Sequence, residues 1–213
     1  MTGDGIRELP SELDPRHWRQ TGARVLEHGL PDLPASLTYE MWIPLGYWTG
    51  GCCGVVAFMF FSPDHEDGHM RPVTSLMPYS REDGRWVPPP GNTFAAGGIK
   101  DGFDPVTDPD YSRHLDGSIM TYGTFSPRDS HEPGRPASTA LGHVSPEVKY
   151  LAVIQDGEQD YRPLRSHFGT YLVCVEKQGP FDVAAFDGDG RLLQILQHPS
   201  PMYLRHRSRS ANT

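Results

Sequence analysis

This 213-residue chain is poor in lysine and in cysteine. Only Lys100, Lys149 and Lys177 occur, so 16 of its 19 basic residues are arginine, and with 27 acidic residues the net charge is −8. That balance argues against non-specific affinity for nucleic acid or an anionic membrane surface. The three cysteines, two of them adjacent at Cys52 and Cys53 and the third at Cys174, make neither a disulfide framework nor a C-x-x-C pair. Reduced thiols and a cytoplasmic location are expected. Long apolar runs are missing too. The most apolar stretch, residues 54–61, falls far short of the roughly 20 residues that span a bilayer. The first residues, MTGDGIRELPSELDPRHW, lack the apolar core of an export signal.

Several catalytic motifs are absent as well. There is no G-x-S-x-G elbow, no G-x-x-x-x-G-K-[ST] phosphate loop and no G-x-G-x-x-G opening a helix. Gly97-Gly98-Ile99-Lys100 is a weak echo with no helical pattern after it. No cofactor is expected.

What the chain has in abundance is turn-formers and short apolar runs. It carries 23 glycines and 21 prolines, and its hydrophobic fraction is only 37%, as suits a turn-rich fold with long loops. Asp14-Pro15 opens the one helical pattern, with Asp14 able to cap free amides and Gly29 and Pro31 ending the run. Trp18, Val25 and Leu26 share a face, so this helix is expected to cover an edge or end of a β core. Gly22 in its middle costs about 1 kcal/mol against alanine. LTYEMWI, CCGVVAFMFF, RPVTSLM and GSIMTYGTF then read as strands, the second apolar on both faces like a central buried strand. Residues 78–109 read as a long loop, unusual in a compact domain. Residues 142–196 give four more strand-like runs, EVKYLAVIQ, GTYLVCVEK, FDVAAFD and RLLQIL, set apart by DGEQD, QGP and GDG. The expected fold is mainly β: an antiparallel β-sandwich or two packed small sheets with a short N-terminal helix.

The composition suggests four regions: 1–126, helix plus β region; 127–140, a linker-like loop; 141–198, a C-terminal β unit; and 199–213, a basic tail with Arg205, His206, Arg207 and Arg209. In the third region HVSPEV, PLRSHFGTYLVCVE and FDVAAFDGDGRLL resemble a segment of uncharacterised β-rich proteins of high-GC actinobacteria. The resemblance covers about a quarter of the chain and implies a small sandwich-like module with no known activity. The Arg, Gly, Pro and Asp bias suits a high-GC genome.

Candidate sites are few. His65-Glu66-Asp67-Gly68-His69 matches the H-E-x-x-H spacing of zinc proteases, in which two histidines on one helical face hold zinc and the glutamate is the base. Pro63 before it and Gly68 within it oppose a helix, which makes a solvated turn the simpler expectation. Asp101, Asp104, Asp108 and Asp110 could wrap a hard cation but do not follow the EF-hand order, and Asp187-Gly188-Asp189-Gly190 fits a hairpin turn. Cys52, Cys53 and Cys174 read as buried, inert thiols, with His143 or His167 as conceivable partners for a nucleophile. Trp42, Tyr47 and Trp48 remain. Pro44-Leu45-Gly46 breaks the pattern before Tyr47 and Trp48, setting them on a turn where they either close the core or meet a ligand.

The expected function is therefore a non-enzymatic binding or regulatory protein, its partner another protein held by loops and by Trp42, Tyr47, Trp48 and Trp86. Two alternatives stand beside it. One is a metal-dependent hydrolase using His65, Glu66 and His69, and the other is a carbohydrate-binding β-sandwich with Trp48 and Trp86 as stacking platforms.

Overall fold

A computed structural model describes residues 10–88, 94–98, 104–108, 120–125, 138–177 and 179–198. The fold is mainly β, with one short helix and three antiparallel sheets, none of them closed into a barrel. The first sheet has the order β1 (Ile43–Thr49), β2 (Cys53–Pro63), β3 (Met70–Glu82), β4 (Arg85–Val87), and β5 (Phe94–Gly98) also pairs with β3. The second joins β6 (Met120–Phe125), β7 (Ser138–His143) and β10 (Thr170–Val175), with β7 in the middle. The third runs β12 (Leu192–His198), β11 (Phe181–Phe186), β8 (Tyr150–Gln155), β9 (Glu158–Pro163).

Strand β2 is the centre of the first sheet, and its unbroken apolar run has the cause the sequence suggests. Successive side chains point to opposite faces. Cys53, Val55, Ala57, Met59 and Phe61 enter the main core, while Val56 and Phe58 enter a second cluster with Val25 and Leu26 of helix α1 (Trp18–His28). The helix thus lies on the outer face of the first sheet. Asp14 caps a 3-10 turn, Pro15–His17, that leads into α1, its carboxylate accepting from the Arg16 amide at 2.8 Å. Hydrogen bonds from Arg16 hold the Asp14 carboxyl down at about 2. Gly22 has a packing reason: a Cβ there would lie 1.9 Å from the Tyr79 hydroxyl, which donates to the Arg19 carbonyl at 3.0 Å.

The main core draws on both halves of the chain, from Ile43 and Val55 to Leu141, Tyr171 and Val183. Strand β7 pairs with β6 and with β10, across the expected boundary, so residues 138–140 are strand and not linker. Residues 127–137 and the basic tail lie outside the described residues.

Four local readings are corrected. LTYEMWI is not a strand; β1 begins at Ile43, and Trp42 precedes it. Pro44-Leu45-Gly46 does not break β1, because a bulge between Pro44 and Gly46 absorbs the irregularity on an edge of that sheet. Residues 78–109 are not one loop: β3 runs on to Glu82 and returns as β4, and β5 also falls within that range. DGEQD is not merely a separator, since Asp156 and Gly157, at φ of 54° and 81°, form a two-residue turn that leads straight into β9.

Candidate functional site

The expected aromatic site does not present an exposed surface. Trp48 lies within β1 and is 5% exposed, and Trp86, on β4, is 8% exposed. The Arg162 guanidinium sits 4.2 Å over the Trp48 ring, donates to the Thr49 carbonyl and Oγ1, and is paired with Asp160 at 2.6 Å. Arg81 covers Trp86 in the same manner at 5.5 Å. Trp42 is half-buried between Trp18 at 6.0 Å and Phe60 at 4.8 Å, both stacked. Neither Trp48 nor Trp86 offers a free ring face to a sugar. Tyr47 is the more open of the strand pair, its hydroxyl accepting from Arg165 at 3.4 Å.

His65, Glu66 and His69 fall on the turn between β2 and β3, all three exposed. The backbone closes on itself there, with the Asp64 amide donating to the His69 carbonyl at 2.8 Å. Arg71 bridges Asp64 at 2.7 Å and Asp67 at 3.0 Å. The helix that would set both histidines on one face is absent from this segment, so the H-E-x-x-H spacing has no metalloprotease geometry. No group of three or more His, Cys, Asp or Glu is arranged to hold a metal among the described residues.

Asp104 caps its own turn, accepting from the Val106 amide at 3.0 Å and from the Tyr39 hydroxyl at 2.9 Å; Asp101 and Asp110 lie outside the described residues. Asp187-Gly188-Asp189-Gly190 is the β11–β12 hairpin turn, with the Asp187 carboxylate accepting from the Arg191 amide at 2.8 Å. Cys53 and Cys174 are buried and Cys52 is exposed, all as free thiols. Glu176 accepts from the Cys52 amide at 3.2 Å and from the Cys53 thiol at 3.5 Å. Burial, with the neighbouring Cys53 thiol, pushes the Cys174 thiol well up, away from the thiolate a nucleophile needs. The His167 ring is committed to the Pro31 carbonyl at 2.9 Å.

The surface that stands out is elsewhere, on the third sheet. Its cross-strand pairs set Leu151, Val153, Val183, Ala185 and Leu196 toward the main core. The alternate residues form two apolar rows on the outer face. One row is Tyr161, Ala152, Ala184 and Ile195; its neighbour is Pro163, Tyr150, Phe186 and Leu192. Among the described residues the most exposed large hydrophobics, Tyr161 at 46%, Leu192 at 47% and Ile195 at 48%, all belong to these rows. Tyr161 stacks on Tyr150 and meets Phe186 edge-on, both at 5.3 Å between ring centres, so the three rings lean over the short, buried Ala152 and Ala184.

Sequence reasoning missed this face because Tyr161 sits on β9, whose residues EQDYRP have no apolar alternation. The Asp156-Gly157 pair between two extended segments was the signal that could have found it. No family model matches the chain, and no similar curated protein or solved structure was found.

Proposed function

We propose that this protein is a non-enzymatic binding protein that recognises another protein with the outer face of its β8–β9–β11–β12 sheet. The observation that carries this reading is the convergence of Tyr161, Leu192 and Ile195 on one face of one sheet. Contiguous exposed apolar surface is what soluble proteins otherwise avoid, and it marks interaction sites. Tyrosine suits such a site, because it buries a large ring while keeping its hydroxyl in water, and aromatic anchors dominate interface energetics. The edge strand β9 is charged, with Glu158, Asp160 and Arg162, which opposes pairing with another strand. Recognition by the face therefore has more support than recognition by the edge. The cytoplasm is the compartment this reading implies, in keeping with three free thiols.

The test is capture of partners from the native host's lysate by the wild-type chain, by Tyr161→Asp and by Ile195→Asp. A partner retained by the wild type should be lost by both variants, while their unfolding midpoints stay close to wild type. A partner held equally well by all three chains would overturn the reading.

A further inference from the structure

The third sheet has two edges, and the chain guards only one of them. An edge strand presents backbone N–H and C=O groups to any strand able to pair with them, and proteins block such edges with charge or proline. Strand β9 carries Glu158, Asp160, Arg162 and Pro163. Strand β12, at the opposite edge, reads LLQILQH and has no Asp, Glu, Lys, Arg or Pro. Among the described residues it pairs with β11 alone. Leu192 and Ile195 stand about half exposed on it, so the unguarded edge borders the apolar outer face.

We propose that β12 pairs with β12 of a second copy of this chain, joining two four-stranded sheets into one. Charge favours this occupant. Each copy carries a net −8, so two copies approach most easily along a strand that carries no charge. A two-fold axis perpendicular to the sheet makes the paired strands antiparallel and keeps the same face outward in both copies. Centred on Ile195, the pairing sets Ile195 opposite Ile195. The row Tyr161, Ala152, Ala184, Ile195 then runs on across the seam into the same row of the other copy, in reverse order. A slip of one residue would set Ile195 opposite Leu196, which faces the core, so the register is specified. A seam one strand long is small beside the roughly 1,200–2,000 Å² of a stable interface, and the dimer is accordingly weak.

The test is sedimentation of the full chain at rising concentration, with amide hydrogen exchange followed in parallel. A dimer should form by about 1 mM, as suits a small interface. Protection should rise with concentration within residues 192–198 and stay constant within 158–163. Ile195→Lys sets two like charges opposite each other and should weaken the dimer about tenfold or more. Because Ile195 is about half exposed, this variant should keep the wild-type unfolding midpoint. Tyr161→Asp, on the far edge of the sheet, should still dimerise while losing the outside partner, which separates the seam from the proposed protein-binding face. A chain that stays monomeric at the highest concentration would overturn the proposal. So would β12 protection that is the same at every concentration, which would mean that the edge is covered within one chain. Dissociation by Tyr161→Asp, or a dimer left intact by Ile195→Lys, would equally overturn it.

Discussion

Strands β2 and β11 both carry apolar side chains on both faces, yet among the described residues only β2 has a second element lying across each. On the outer side of β2, Val56 and Phe58 meet Val25 and Leu26 of α1, with Met77, Tyr79 and Trp86 closing the cluster. On the outer side of β11, Ala184 and Phe186 share their rows with Tyr161, Ile195 and Leu192, which are about half exposed. Among the described residues no helix lies there. Every sheet face that is apolar in sequence must exclude water somehow. The first sheet does so within the chain, and the third retains apolar surface that an outside partner can cover.

The largest test of that contrast is a pair of truncations. Phe58→Ala removes a fully buried ring from the covered face and should cost about 3–5 kcal/mol. Ile195→Ala, on the open face, should stay within about 0.5 kcal/mol of wild type. Both are read from denaturant unfolding curves. If Ile195→Ala cost as much as Phe58→Ala, the two faces would be equally enclosed and the comparison would fail.

The contrast also explains what could be read from the residues alone. CCGVVAFMFF announced a strand buried on both sides, and the chain covers it on both sides. YLAVIQ and FDVAAF carry much the same signal, since an apolar outer face has the same composition whether a helix or a partner covers it. Nothing local distinguishes the two cases; it takes the cross-strand register to gather Tyr161 from β9 and Leu192 and Ile195 from β12 onto one face. Trp48 failed as an exposed anchor for a related reason. The bulge at Pro44 and Gly46 keeps it in the strand, and the guanidinium that covers it arrives from Arg162, 114 positions along the chain. The HEDGH segment was more legible, because Pro63 and Gly68 oppose a helix within a few residues.

A smaller effect, of opposite sign to simple propensity, is expected in the covering helix itself. On intrinsic preference Gly22→Ala would stabilise an exposed helix by up to about 1 kcal/mol. Here the added methyl meets the Tyr79 hydroxyl, so α1 must lift from the sheet or Tyr79 must move, and over-packing of this kind costs about 1–3 kcal/mol. Thermal unfolding decides the sign. A stabilised Gly22→Ala would mean that α1 rests more loosely on β3 than its packing implies, and the difference between the two faces would narrow.

The smallest effect concerns how the cover is tied down after α1 ends. The His167 ring donates through Nε2 to the Pro31 carbonyl, while its amide donates to the Leu45 carbonyl at 2.7 Å, so one residue joins the exit of α1 to strand β1. A carbonyl can only accept, so Nε2 carries the proton in the neutral ring. Burial lowers the pKa of His167 below its ordinary value, outweighing the opposing effects of the Pro31 bond and of Asp32. The unfolded chain therefore binds this proton more readily than the folded one. Its contribution to stability is complete above the unfolded value near 6.5 and is lost as pH falls through the lower folded value. His198, also lowered by burial and stacked on Phe181, acts in the same direction. Unfolding free energy should thus decline as the pH is taken from 7 toward 5. His167→Gln, whose amide can still donate to Pro31, should flatten that decline without removing it, because His198 still titrates. A pH profile identical to wild type in His167→Gln would show that this link carries no proton-coupled stability, and that the cover over the first sheet is held by its apolar contacts alone.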